Sequence, residues 1–256
     1  MTTNLPLVSI ITPSFNQGKF IEKTILSVVN QSYPAIEFIV IDGGSTDETL
    51  SIIKKYSQQI NYWISEKDAG QSHAINKGLD HAKGNIVAYL NTDDLLEKNA
   101  VEETVNAFMQ NEKLALVYGK CTTIDEHGDE ILAAKGGDIN YNKQLKVGML
   151  PWIFQPACFF NIENIKRKPL FRINLQYTMD YELVLYILKR KLPVKFIDKP
   201  FAKYRVHSNA KTVNQSHKLY MEKLKVQFSY APFSIFSLAY KYAKHQLKMV
   251  IYPTGS

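Results

Sequence analysis

Four short apolar, β-branched runs alternate with helical stripes over the first 120 residues, and this alternation constrains the fold more than any other feature of the chain. Val8-Ser9-Ile10-Ile11-Thr12, Ile36-Glu37-Phe38-Ile39-Val40-Ile41, Tyr62-Trp63-Ile64-Ser65 and Ile86-Val87-Ala88-Tyr89-Leu90 read as strands. Between them, Phe20, Ile21, Thr24, Ile25, Val28 and Val29 mark a helix over Lys19 to Gln31. Ser45-Thr46-Asp47-Glu48 reads as a capping box opening a helix to about Ser57. Ala74, Ile75, Leu79 and Ala82 mark a third helix, and Val101, Val105 and Phe108 a fourth, from about Asn99 to Gln110. Alternation with short connections predicts a parallel, Rossmann-like sheet with helices on both faces.

The pattern changes after Leu114. Leu114 to Ile124 and Glu130 to Ala134 read as a hairpin around the turn-rich Asp125 to Asp129. Tyr181 to Leu188 reads as a helix, Val194 to Val206 as extended, and the chain from Ser208 on as helical with a break at Pro232. A length of 256 residues suits one large domain or one domain with an appendage. No run of 18 apolar residues occurs, and Met1-Thr2-Thr3-Asn4 lacks the look of a signal peptide. Cys121 and Cys158 are too few for a disulfide framework and read as two buried thiols in a reducing compartment. These features predict a cytoplasmic protein.

In an open parallel sheet, ligands bind beyond the carboxyl ends of the strands. The four ends here are Pro13-Ser14-Phe15-Asn16, Asp42-Gly43-Gly44-Ser45, Glu66-Lys67-Asp68-Ala69-Gly70 and Asn91-Thr92-Asp93-Asp94. Any single Asp or Asn among them serves equally well as a helix cap; acids on three of the four ends point to a binding rim. The adjacent pair Asp93-Asp94 is the sharpest local feature. Neighbouring carboxylates repel, and a hard divalent cation such as Mg²⁺ or Mn²⁺ with a substrate diphosphate relieves that repulsion. Glycine-rich dinucleotide and P-loop motifs and the Gly-x-Ser-x-Gly elbow are all missing, which disfavours dehydrogenases, P-loop NTPases and α/β-hydrolases.

The runs 8–16, 42–47, 65–71 (Ser-Glu-Lys-Asp-Ala-Gly-Gln), 74–78 (Ala-Ile-Asn-Lys-Gly) and 90–94 (Leu-Asn-Thr-Asp-Asp) resemble, in order and spacing, the successive motifs of bacterial family 2 glycosyltransferases of the GT-A fold. Phe154 to Phe160, Tyr177 to Leu183 and Tyr204 to His207 extend the resemblance to about residue 210. It implies a catalytic domain over 1–210, with a donor half to about 120 and an acceptor half from about 121, followed by a helical extension over 211–256. It also implies a nucleotide-sugar donor, UDP-linked by preference, and inverting transfer to a glycan or polyprenyl-linked acceptor in surface polysaccharide synthesis. Pro13, Asn16, Asp42 and Asp68 would then line the base and ribose, with Ser14, Asn76 and Gln155 in the same donor set. Asp93 would face the ribose. Asp94 would hold Mn²⁺ or Mg²⁺ against the diphosphate, with His207 as a second ligand. Asp180 matches the general base, with Glu182 in reserve. Trp152 suits either stacking on a sugar ring or a place in the core, and Ser72 and His73 open a helix that could face phosphate. A nucleotidyltransferase is the alternative enzyme class, but Pro13 to Gly18 lacks its basic glycine-rich loop. A non-catalytic glycan- or membrane-binding module is the alternative without chemistry.

Charge is unevenly placed. Residues 1–198 carry 21 Lys and Arg against 23 Asp and Glu, whereas 199–256 carry 10 against Glu222 alone. Within that tail, Ile235, Leu238, Ala239, Tyr242 and Val250 fall on one helical side, and Lys241, Lys244, His245 and Lys248 largely on another. Such a helix suits an anionic membrane surface or packing on the catalytic domain; a nucleic-acid partner is not expected.

Overall fold

The first strand, β1 (Val8–Ser14), is buried along its whole length, as a central parallel strand with helices on both faces must be. It belongs to a computed structural model that describes residues 5–141, 153–208, 210 and 216–231. Strands β2 (Ile36–Asp42), β3 (Tyr62–Ser65) and β4 (Ile86–Tyr89) lie parallel to it in the order β3-β2-β1-β4. This is the predicted parallel unit. The chain leaves β1 towards β2 and β3, then crosses back to place β4 on the other side of β1. The switch in direction opens a crevice beyond the carboxyl ends of β1 and β4.

Helices α1 (Gly18–Val29), α2 (Thr49–Lys55), α3 (Gln71–His81) and α4 (Ala100–Gln110) fall where the stripes predict them. On one face of the sheet Ile21, Ile25 and Val28 of α1 pack with Val101, Val105 and Phe108 of α4. On the other, Ala74 and Ile75 of α3 pack with Leu183 and Ile187 of a later helix. The start of α2 corrects the capping-box reading. The Ser45 hydroxyl is turned back to Asp42, and Asp47 accepts from the Thr49 N–H at 3.0 Å and from the Gly18 N–H at 2.9 Å. The loop is therefore tied to α1, and the helix begins only at Thr49.

Beyond β4 the sheet is mixed, which simple alternation could not reveal. A two-residue strand, β5 (Leu95–Leu96), forms the far edge. Strands β6 (Leu116–Ile124) and β7 (Glu130–Lys135) form the predicted hairpin, whose turn is held by Asp125 Oδ1 accepting from the N–H groups of His127, Gly128 and Asp129. Strand β8 (Cys158–Asn161) inserts antiparallel between β4 and β6, and β9 (Val194–Arg205) runs parallel to β6. The short α5 (Ile162–Ile165), α6 (Met179–Lys189) and α7 (Ser216–Tyr230) complete the described residues. Both cysteines are buried and free, as expected. No helix among the described residues is long and apolar enough to cross a membrane. Trp152 and the basic stretch 233–251 lie outside the described residues.

Candidate functional site

A cleft of about 860 Å³ lies over the carboxyl ends of β1 and β4 and runs to the first turn of α6. That volume falls in the range of about 300–1,000 Å³ usual for ligand sites. Six of the residues singled out from sequence line it: Pro13, Ser14, Asp68, Asp93, Gln155 and Asp180. The Ser14 hydroxyl is buried and has no hydrogen-bond partner among the described residues. Asp68 is oriented by the Gly70 N–H, which donates to its Oδ1 at 2.7 Å. Gly70 carries φ 105°, in the left-handed region that favours glycine, at the cap of α3. The cleft wall also contains a chain of amides in which Gln155 is joined by two residues that sequence reasoning did not single out, Gln71 and Asn91. Gln71 Nε2 donates to Asn91 Oδ1 at 2.6 Å, Asn91 Nδ2 to Gln155 Oε1 at 3.3 Å, and Gln155 Nε2 to the Tyr89 carbonyl at 2.6 Å. Gln71 and Asn91 both lay inside the quoted motifs, and that was the signal for them.

Other expected donor residues have structural work instead. Asp42 is fully buried below its loop, and its carboxylate accepts from the Gly44 and Ser45 N–H groups and from the Ser45 and Ser65 hydroxyls. It shapes the glycine turn and does not line the cleft. Asn16, with φ 51°, accepts from the Thr46 N–H at 2.8 Å and joins the two loops. Both ends of the Asn76 carboxamide are taken by the Phe171 backbone, and the residue does not line the cleft. Ser72 is buried and donates to the Leu175 carbonyl, while His73 Nδ1 accepts from the Ala69 N–H, so neither is aimed at a phosphate.

At the acidic end of the cleft the two expected aspartates are placed differently. Asp94 is fully buried and lies outside the lining; its Oδ1 accepts from the Arg205 N–H at 2.9 Å. Burial, reinforced by the neighbouring Asp93 charge, pushes its carboxyl well above the usual range. Asp93 is the member that lines the cleft, and its Oδ2 lies 3.2 Å from His207 Nε2. Two ligands bound to one octahedral cation at right angles, each at about 2.1 Å, stand about 3 Å apart. The Asp93–His207 contact is a hydrogen bond at a spacing that a shared divalent cation could also span, whereas Asp94 is turned away to the Arg205 backbone. Two protein donors leave room for phosphate oxygens and water, the usual habit of Mg²⁺. Among the described residues no three His, Cys, Asp or Glu side chains converge on one point.

Arg205 holds this end together. It is 1% exposed; its Nε donates to the Asp93 carbonyl, and its Nη1 to the carbonyls of Asp125 and Glu126. Its guanidinium and the His207 ring both rest on Phe20, at 5.2 and 4.8 Å. One arginine thus fixes the β6–β7 turn, the end of β9 and the Asp93 backbone relative to α1. A lone arginine at the end of a strand gives no periodic signal, and only its neighbourhood to His207 pointed to it.

Asp180 lies in the first turn of α6, half-buried and facing the cleft. Its Oδ1 accepts from the Tyr181 N–H at 2.8 Å. Burial raises its pKa above the ordinary value, against the opposing influence of its own helix N–H groups and the Lys223 charge. Glu182 is not in the cleft. It is fully buried on the other side of α6, where it bonds Arg167, Arg172 and Tyr230.

The fold and the cleft together define an α/β domain with a large cleft at the sheet's switch point. The chain belongs to glycosyl transferase family 2, whose model matches residues 9–163, and its fold is GT-A. A putative teichuronic acid biosynthesis glycosyltransferase of Bacillus subtilis, TuaG, is 30% identical over 84% of this chain and 85% of its own length. Several uncharacterized glycosyltransferases of Rickettsia and Haemophilus influenzae are 31–34% identical, and the chain spans 35–67% of their lengths. Staphylococcus aureus TarS 1-349 in complex with UDP-GlcNAc is similar with a TM-score of 0.68, 18% identity, and coverage of 86% of this chain and 65% of that one. The mannosyltransferase PcManGT of Pyrobaculum calidifontis, in complex with GDP-Man and Mn²⁺, is similar with a TM-score of 0.65, 18% identity, and coverage of 99% and 77%.

Proposed function

We propose that this chain is an inverting, metal-dependent glycosyltransferase that moves a sugar from a nucleotide-sugar, UDP-linked by preference, to a hydroxyl of a glycan or polyprenyl-linked acceptor in surface polysaccharide synthesis. The observation that carries this reading is one cleft lined by both Asp93, whose carboxylate is bonded to the buried His207 behind it, and the Asp180 carboxylate. Family membership sets the reaction type. The UDP-GlcNAc held by TarS and the polymer named for TuaG support the donor and pathway preference; the Mn²⁺ and GDP-Man held by PcManGT support the metal and keep a GDP donor as the alternative.

In this reading Ser14, Asp68 and the Gln71–Asn91–Gln155 chain bind and orient the donor. Asp93 and His207 hold the cation, which when bound supplies positive charge to a departing diphosphate. Asp180 takes the proton of the attacking hydroxyl as that oxygen bonds to the anomeric carbon. The division into a donor half to about 120 and an acceptor half to about 210 belongs to the same proposal, as does work at the cytoplasmic face of a membrane that offers the lipid-linked acceptor.

Calorimetric titration of UDP, GDP and dTDP, each with and without Mn²⁺, is the direct test. One nucleotide is expected to bind with Mn²⁺ and much more weakly without it. His207→Ala is expected to weaken the metal-dependent binding by about tenfold or more, the scale seen when groups that support a bound metal are removed. Binding of no nucleotide to folded protein would argue for a non-catalytic module.

A further inference from the structure

Helix α7 lies beyond the residues that match the family model, and from it the single acid of residues 199–256, Glu222, reaches the start of α6. Its Oε1 accepts from the N–H groups of Tyr177 at 2.7 Å, Thr178 at 2.9 Å and Gln176 at 3.1 Å, and from the Thr178 hydroxyl at 2.9 Å. Oε2 accepts from the Gln176 N–H at 2.9 Å. Thr178 is the N-cap residue of α6, and its own side chain caps nothing. A helix start leaves its first N–H groups without partners, and a carboxylate there is favoured by both hydrogen bonding and the helix dipole. Here that carboxylate comes from a different helix, 44 residues further along the chain at Thr178. The three backbone N–H groups immediately precede Met179 and Asp180, so the anchor acts on the segment that aims Asp180.

The rest of α7 is built for the same docking. Val226 and Gln227 are buried, and Gln227 Nε2 donates to the Tyr181 hydroxyl at 2.9 Å. Tyr230 donates to Glu182 Oε1 at 2.6 Å. Lys223, next to Glu222, sits 5.6 Å over the Tyr181 ring, and burial depresses its pKa to about 8 while the Asp180 charge opposes that fall. Tyr177, Thr178, Tyr181 and Glu182 of the α6 segment are thus all bonded to α7.

We propose that Glu222 is a positioning residue for Asp180: α7 acts as an external cap that fixes the first turn of α6, so the C-terminal segment helps to build the active site. This rests on the reading of Asp180 as the base. A carboxylate that receives four donors and lies beside the catalytic turn holds that turn against rotation. Productive proton transfer tolerates little such movement, since the base must stay within hydrogen-bond reach of the acceptor hydroxyl.

The test is a double-variant comparison in the full chain using Asp180→Asn, Glu222→Ala and both together. It measures nucleotide release from a panel of UDP- and GDP-sugars with Mn²⁺, Mn²⁺-dependent UDP and GDP affinity, and amide exchange over 176–183. Glu222→Ala is expected to lower kcat by about tenfold or more with nucleotide affinity within about twofold, and to cost nothing further on top of Asp180→Asn. Glu222→Gln keeps one acceptor oxygen and is expected to recover part of the rate, which guards against a general folding defect. An equal loss in both backgrounds, or no loss in either, would overturn the proposal. A fully active Asp180→Asn would instead overturn the base reading beneath it, and that is seen from the single variant alone. Should no sugar of the panel turn over, exchange decides. Faster exchange spreading from 176–178 into 179–183 with unchanged nucleotide binding supports the cap; unchanged protection refutes it.

Discussion

Asp180→Asn is expected to keep the fold and the metal-dependent nucleotide affinity and to lose transfer by about a hundredfold or more, the range for a positioned general base. Asn fills the same space and can still accept from the Tyr181 N–H, but its carboxamide cannot take a proton. The pH profile is the second part of the expectation. A base works in its ionised form, and burial holds the Asp180 carboxyl above the ordinary aspartate value, which is about 3.9. Rate is therefore present above the raised pKa and lost as pH falls through it, so the acid limb should lie higher than for an exposed aspartate. Neighbouring charges bear on its position in opposite senses: Lys223 lowers the Asp180 pKa and Glu222 raises it. Measured kcat of wild type and variant across pH checks both parts. Wild-type turnover by Asp180→Asn would place the base elsewhere.

The first half of the molecule was legible because its signals are local. A helix period of 3.6 and apolar strands of four to seven residues repeat in register, and polar residues gather where each strand must end. The sheet beyond β4 was not legible in the same way. Strand β8 enters antiparallel between β4 and β6 through pairings of residues far apart in sequence, and no local periodicity encodes such a choice. The site divided along the same line. Ser14, Asp68 and Asp93 sit on strand ends and could be found there, but the partnership of Asp93 with His207 spans 114 residues. Asp42, Asn16 and Asn76 have the chemistry of ligand-binding side chains and use it within the protein, on backbone groups and, for Asp42, on two serine hydroxyls as well. Residue type alone cannot tell a turn-forming carboxylate from a ligand-binding one; only burial and partner count can. Glu222 illustrates the reverse. Its isolation in a basic tail was plain from the charge count, yet its target, the start of α6, could be seen only once the helices were in place.

Glu182→Ala is expected to destabilise the protein by about 3–5 kcal/mol, the cost of breaking a buried ion pair from one side. Glu182 is fully buried and pairs with Arg167 Nη2 at 2.7 Å and Arg172 Nε at 3.1 Å, while Tyr230 donates to it at 2.6 Å. Arg167 is itself nearly buried, with an Nη1 that already lacks a hydrogen-bond partner among the described residues. Removing the carboxylate would strand that guanidinium in an apolar setting. The loss is a large part of a typical stability of about 5–15 kcal/mol, and corresponds to a fall in Tm on the order of 10 °C. Glu182→Gln preserves the shape and the Tyr230 contact and should cost less. The same variants separate the two acids of the α6 first turn. Asp180→Asn should leave Tm nearly unchanged while transfer collapses, whereas Glu182→Gln should lower Tm while each folded molecule keeps most of its activity. The opposite pattern, a stable Glu182→Gln protein without transfer, would make Glu182 the base and would require α6 to present its other face to the cleft.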